Sequence, residues 1–231
     1  MVHIVNAETN PTRSERSKRL VEARLYGILD LGYLVAENLE RVAEQMCIGG
    51  VDIVQLRAKQ YDEHQIEEFA NRVQPILTSA GVPFIINDFP ELVPSVGADG
   101  AHVGQDDLAV SDARWRAGRA LAGEVPAMII GKSTHSVEQA VAAAESGADY
   151  IGFGPLYPTP TNAGRPAIGL EQIRQVHELL DIPIFCIGGV KLENLGAVLE
   201  AGAKRVVIVS GILHAANLPG YCREVRARLG D

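Results

Sequence analysis

Short apolar runs and stretches of helical periodicity alternate along this chain from residue 25 to its end. Eight runs rich in Val, Ile, Leu and aromatic residues read as strands: LYGIL at 25–29, DIVQL at 52–56, FIIN at 84–87, AHV at 101–103, AMII at 127–130, YIGF at 150–153, IFCI at 184–187 and RVVIV at 205–209. Their starts lie 17 to 34 residues apart, and no tight hairpin turn joins neighbours, as expected when each crossover to a parallel strand needs about a dozen residues. Between them, apolar residues recur at spacings of three and four: Leu39, Val42 and Met46; Ile66, Phe69, Val73 and Ile76; Val137, Ala140 and Ala144; Leu170, Ile173, Val176 and Leu180. Each set makes one apolar stripe on a helix. The nearly continuous apolar strands suit a parallel sheet covered on both faces. Eight strand and helix pairs over 25–231 predict an α/β protein, a single-domain (β/α)8 TIM barrel, with residues 1–24 as a short N-terminal extension. An open doubly wound sheet is the rival arrangement.

A repeat supports closure. Gly50-Val51-Asp52, Gly97-Ala98-Asp99, Gly147-Ala148-Asp149 and Gly202-Ala203-Lys204 each end a helix and open an even-numbered strand. Glycine suits a left-handed helix end, so the repeat divides the barrel into four units of two strand and helix pairs.

Composition narrows the partners. The net charge of −8, from 29 acidic and 21 basic residues, argues against duplex DNA or an anionic membrane as the main partner. Any anionic substrate must be met locally. The three cysteines, Cys47, Cys186 and Cys222, form neither a CxxC pair nor a zinc pattern, which points to a reducing cytoplasm. No stretch has the length of a membrane span or a signal-peptide core. The polar segment 7–20 carries Arg13, Arg16, Lys18 and Arg19, but Glu8 and Glu15 dilute it, so it reads as a solvated or packed extension. A homo-oligomer is compatible with the sequence, and nothing in it specifies one.

In such a barrel the loops after the strands carry the chemistry. Those positions collect Gln55-Leu56-Arg57-Ala58-Lys59, Asn87-Asp88, Gly104-Gln105-Asp106-Asp107, Lys132-Ser133-Thr134-His135, the segment from Gly154 to Asn162, Gly188-Gly189 and Val209-Ser210-Gly211. Arg57 and Lys59 alone would pass for solvated charges; Asp88 and Asp107, from neighbouring strand ends, change that balance. Two hard carboxylates completed by water and substrate oxygens are a usual way to hold Mg2+ with a phosphorylated substrate, and a general acid/base pair is the rival use. Asp106 is the weaker ligand candidate. The glycines after the seventh and eighth strands fit a backbone phosphate site or simple turn geometry. His102 and His135 lack any triad or metal pattern and read as packing or hydrogen-bonding residues.

Several of these strings occur together in one register and resemble the thiamine phosphate synthase family: Val54 to Lys59, Ile86-Asn87-Asp88, Gly97 to Leu108, Ser133-Thr134-His135, Gly147 to Pro155, Thr159-Pro160-Thr161, Ile187-Gly188-Gly189 and Val209-Ser210. The resemblance covers about residues 25 to 215. It implies a metal-assisted transferase, a thiamine phosphate synthase, that joins an aminopyrimidine hydroxymethyl diphosphate to a phosphorylated hydroxyethyl thiazole. By the same resemblance Gln55, Leu56, Arg57, Ala58, Lys59, Asn87, Ser133 and Asn162 would hold the pyrimidine diphosphate, with Arg57, Lys59 and Ser133 in the catalytic roles. Asp88 and Asp107 would bind Mg2+, and Thr159, Pro160, Thr161, Gly189, Val209 and Ser210 would place the thiazole phosphate. Two positions depart from the family pattern. Asn162 stands where a lysine usually follows Thr-Pro-Thr, with Arg165 as a candidate replacement, and Phe89 stands where arginine often follows the Asn-Asp pair. The runner-up activity is that of a related thiazole tautomerase barrel; a catalytically weak precursor-binding protein is the third.

Overall fold

The computed structural model describes residues 13–118, 128–159 and 166–230, with side chains from residue 15 onward. Eight parallel strands close on themselves in chain order: β1 Leu25–Asp30, β2 Ile53–Arg57, β3 Phe84–Asn87, β4 Gly100–Val103, β5 Ile129–Thr134, β6 Tyr150–Phe153, β7 Ile184–Cys186 and β8 Val206–Ile208. The last pairing, Leu25 with Val206 through Gly27 with Ile208, seals the cylinder and excludes the open sheet. Around it lie α1 Arg13–Glu22, α2 Leu39–Ile48, α3 Glu63–Ala80, α4 Val93–Val96, α5 Val110–Gly118, α6 Val137–Glu145, α7 Ile173–Leu179, α8 Leu192–Glu200, α9 Ser210–Leu213 and α10 Leu218–Leu229. Three of the four stripes read from the sequence lie on α2, α3 and α6. The fourth is trimmed, because α7 begins at Ile173 and Leu180 already has extended backbone.

Alternation along each strand sorts side chains into two cores. Leu25 and Leu29 of β1, Val54 and Leu56 of β2 and Ile130 of β5 face the helices, whereas Tyr26, Ile28, Ile53, Ile85, Ile129, Tyr150, Phe185 and Val207 fill the barrel. Toward the carboxyl ends the inward positions turn polar, with Gln55, Arg57, Asn87, His102 and Ser133 above the apolar floor. The interior is thus a packed plug beneath a polar cup.

The Gly-x-Asp repeat has a mechanical role at the amino end. Gly50, Gly97, Gly147 and Gly202 all adopt left-handed backbone, which lets each helix turn directly into a strand. The aspartate two residues on then staples the preceding strand. Asp52 Oδ2 accepts from the backbone N–H of Arg24 and Leu25 at 2.8 Å each, Asp99 Oδ2 from Phe84 at 2.9 Å, and Asp149 Oδ2 from Ile130 at 2.7 Å. An arginine closes each staple: Arg226 on Asp52, Arg16 on Asp99 at 3.0 Å, and Arg114 on Asp149 at 2.8 Å. Lys204 in the fourth unit has no oxygen to offer. Arg16 belongs to α1, which lies under the barrel with Leu20 and Ala23 buried in the inner core, so the basic segment 13–19 includes a packed helix.

Candidate active site

The polar cup opens into a cavity of about 290 Å³ at the carboxyl ends of the strands. It brings together Gln55, Arg57, Lys59, Asn87, Asp88, Asp107, Ser133, Thr159, Gly189, Val209 and Ser210. The side chains of Leu56 and Ala58 do not line it; they alternate outward into the helix-facing core. Pro160, Thr161, Asn162 and Arg165 lie outside the described residues.

Arg57 reaches the cup from the end of β2 and is held there by Asp30, the last residue of β1. The Arg57 guanidinium donates to Asp30 Oδ2 at 2.8 Å, and Gly32 N–H donates to Asp30 Oδ1 at 2.9 Å. Asp30 is only 1 % exposed, so its charge is tolerable only because both oxygens are engaged. The pairing fixes one edge of the guanidinium and leaves the remaining N–H groups for an anion. The apolar run at 25–29 ends just before Asp30, which the strand includes.

Lys59 and the two candidate metal ligands share the adjoining rim. Lys59 Nζ lies 3.2 Å from Asp88 Oδ2, and Asp107 Oδ2 accepts from Gly104 N–H at 2.7 Å. Burial raises the Asp88 carboxyl above its ordinary range, Lys59 opposes this, and the like charge of Asp107 raises it further. Asp88 also has φ 68°, a left-handed conformation that aspartate adopts more readily than most residues, and its N–H donates to His102 O at 2.9 Å. Two carboxylates that repel one another suit a hard divalent cation. Among the described residues no three His, Cys, Asp or Glu side chains cluster at metal-binding distance, so water and substrate oxygens would have to complete the coordination, the usual arrangement for Mg2+ with phosphates. Lys132 steadies the loop that carries Asp107. Its Nζ donates to Gly104 O at 2.6 Å and to Leu108 O at 3.1 Å, and burial lowers its pKa against the pull of Asp107 and Asp106.

Ser133 is positioned from below. Its Oγ is 2.9 Å from His102 Nε2, and its carbonyl accepts from Gln105 Nε2. His102 Nδ1 is 3.1 Å from the Tyr150 hydroxyl, which is 3.0 Å from that of Tyr26, to which Gln55 Nε2 donates at 2.9 Å. Desolvation deep in the cup, followed by repulsion from Lys132, pushes the His102 pKa down to about 4. His102 therefore has the hydrogen-bonding role expected of it; His135 does too, with Nδ1 against Gly154 O. Tyr26 and Tyr150 were absorbed into apolar runs in the sequence, where nothing distinguishes an inward hydroxyl.

On the far wall Gly188 and Gly189 have φ 94° and 68°, and a Cβ on them would meet Pro155 and Tyr157 at 2.4 and 2.7 Å. The loop after β6 covers one side of this turn, and Asn194 Nδ2 donates to Gly189 O at 2.9 Å. Glycine is required here by the protein's own packing.

A family model described as thiamine monophosphate synthase matches residues 25–212. The chain belongs to the thiamine-phosphate synthase family. It is 43% identical over 199 residues to the thiamine-phosphate synthase of Thermus thermophilus, covering 86% of this chain and 92% of the relative. To that of Halalkalibacterium halodurans it is 40% identical over 200 residues, with the same coverage of 86% and 92%. Among solved structures, thiamine phosphate pyrophosphorylase from Pyrococcus furiosus superposes with a TM-score of 0.78 at 28% identity, covering 92% of this chain and 97% of that one. 3-Hexulose-6-phosphate synthase, at 18% identity and a TM-score of 0.64, shares the fold alone. Membership in the thiamine-phosphate synthase family makes the chain a transferase of thiamine biosynthesis. Among the described residues no helix is long and apolar enough to cross a membrane.

Proposed function

We propose that this chain condenses aminopyrimidine hydroxymethyl diphosphate with phosphorylated hydroxyethyl thiazole, or with its carboxylated form, which also loses carbon dioxide, and releases thiamine phosphate and pyrophosphate. The observation that carries the reading is the convergence of two cations, Arg57 and Lys59, with two carboxylates, Asp88 and Asp107, on one rim of a single cavity. A diphosphate needs that combination, and a tautomerase, which handles no diphosphate, does not.

Asp88 and Asp107 would hold Mg2+, which when bound supplies electrostatic stabilisation of the negative charge on the diphosphate. The protein's own groups do the rest. The bond between the pyrimidine methylene and the diphosphate oxygen breaks, and its electron pair leaves with pyrophosphate. Arg57, pre-set by Asp30, and Lys59 meet that charge as it develops, which is electrostatic rather than covalent catalysis. The cation left on the pyrimidinyl methylene is attacked by the lone pair of the thiazole nitrogen, forming the carbon–nitrogen bond and leaving the thiazole ring positively charged. No proton need be removed in that step, so the remaining task is positioning. Gln55, Asn87 and Ser133 orient the pyrimidine; Thr159, Gly189 and the Val209-Ser210 backbone, with Pro160 and Thr161, receive the thiazole phosphate. By the family resemblance Asn162, with Arg165 as a candidate replacement for the usual lysine, would serve the diphosphate. The three free cysteines support a reducing, cytoplasmic setting.

Incubating the full chain with both phosphorylated precursors, with and without Mg2+, tests the reading by the appearance of thiamine phosphate. Isomerised thiazole carboxylate without coupling would replace it with a tautomerase, and tight binding of either precursor without turnover would leave only a binding protein.

A further inference from the structure

The hydrogen bonds that run from Gln55 to Ser133 cross the barrel interior through three residues with no part in the reaction proposed above. Tyr26 of β1 and Tyr150 of β6 are 2% and 1% exposed, and His102 of β4 has both ring nitrogens engaged. Their rings are locked. Tyr26 and Tyr150 meet the Phe185 ring edge-on, with centroids 5.4 and 5.6 Å away, and a Cβ at Gly131 would lie 2.1 Å from the Tyr150 ring. The hydroxyls therefore have fixed places and one proton each.

Counting those protons orders the chain. Gln55 Nε2 donates to the Tyr26 oxygen. Tyr26 must then donate to Tyr150, the only other partner its hydroxyl has among the described residues, and Tyr150 must donate to His102 Nδ1. Among the described residues no carboxylate is hydrogen-bonded to the imidazole, whose nitrogens meet Tyr150 and Ser133; accepting from Tyr150 on Nδ1, the neutral ring carries its single proton on Nε2, donated to Ser133 Oγ. The Ser133 hydroxyl proton is left for the cavity, and at the other end Gln55 Oε1 has no hydrogen-bond partner among the described residues. The Gln55 amide, with Nε2 turned toward Tyr26, sets the direction of every bond that follows.

We propose that Tyr26, Tyr150 and His102 form a proton-ordered relay that makes Gln55 an acceptor and Ser133 a donor, so that the site selects a heteroaromatic ring bearing an exocyclic amine and an unprotonated ring nitrogen over its oxo analogue. The three are positioning residues, acting through the two that touch the ligand. The inference rests on the pyrimidine reading of the cavity and adds to it what reads the ring. An oxo group in place of the amine sets an acceptor against Gln55 Oε1, and such mismatches at a buried polar site are strongly rejected.

The test compares kcat/KM for the aminopyrimidine diphosphate and its oxo analogue, in the presence of Mg2+ and the thiazole phosphate. Wild type is set beside Tyr26→Phe, Tyr150→Phe, His102→Leu and His102→Gln. The phenylalanine variants keep the ring packing, and thermal unfolding reports whether each variant is folded. The wild type is expected to prefer the amine. That preference should fall about tenfold or more in the phenylalanine and leucine variants while KM for the thiazole phosphate stays unchanged. His102→Gln, whose amide N–H can still reach Ser133, should recover part of the preference. An unchanged preference in the folded Tyr26→Phe and Tyr150→Phe proteins, or a wild type that prefers the oxo analogue, overturns the relay. If the wild type forms no product, the proposed reaction fails, and calorimetric binding of the two pyrimidine diphosphates decides the relay by the same comparison.

Discussion

Arg57 can serve an anion at the cavity wall because Asp30 takes one edge of its guanidinium out of play. Asp30→Ala would leave that cation without its partner at a half-closed site. We expect a loss of about 3 kcal/mol in urea unfolding together with a raised KM for the diphosphate substrate; unchanged values for both would mean the pair is incidental. Asp88 sits in left-handed backbone, which asparagine tolerates as readily as aspartate, so Asp88→Asn separates charge from conformation. Mg2+-dependent turnover should fall by about a hundredfold or more with the thermal midpoint unchanged or slightly raised, since the burial cost of the charge also goes. At Asn162 the lysine usual in the family is absent; Asn162→Lys should leave turnover intact or raise it, and a marked loss would show that the amide has its own role. At this scale the sequence displayed the charged rim plainly, because Arg57, Lys59, Asp88 and Asp107 interrupt apolar runs at strand ends. It hid Asp30, Tyr26 and Tyr150, whose importance comes from facing inward, a property of the closed barrel and not of the residues themselves.

The strands were legible as elements because burial on both faces leaves continuous apolar runs, and all eight lie within a residue or two of the expected places except β5, which extends through Thr134. Helices depended on a clean stripe. α5, with the sequence VSDARWRAG, buries only a thin stripe of Val110, Ala113 and Ala117, while its largest apolar residue, Trp115, is 61% exposed. α1 was hidden for another reason: the partner that fixes Arg16 is Asp99, 83 residues away. The staples made by the Gly-x-Asp repeat lie at the end of the barrel opposite the cavity, which predicts a separation of stability from activity. Asp99→Ala removes an acceptor from Phe84 N–H and strands Arg16. Unfolding in urea should show a loss of about 2–4 kcal/mol while kcat and KM of the folded fraction stay at wild-type values. A fall in kcat at full folding would mean the amino end communicates with the site.

For the molecule as a whole, two histidines contribute to its behaviour in acid. His102 and His177 are both pushed from 6.5 down to about 4, in each case first by burial, and for His177 then by Lys204 and Arg205. The unfolded chain accepts protons that the folded chain resists, so their stabilisation is complete above pH 6.5 and is lost progressively as pH falls toward about 4. Asp88, with its raised carboxyl, works in the opposite sense and gains stability on acidification. Thermal midpoints measured across that range should therefore fall less steeply for His177→Gln than for the wild type; parallel curves would contradict the assignment. Function at this scale comes down to whether the four charges on the cavity rim serve a leaving diphosphate. The most direct measurement is the stoichiometry of pyrophosphate to thiamine phosphate released by the full chain from the two precursors. Equal amounts, formed with Mg2+ and suppressed by a chelator, are the predicted result, and pyrophosphate released without thiamine phosphate, or no release of either, would contradict it.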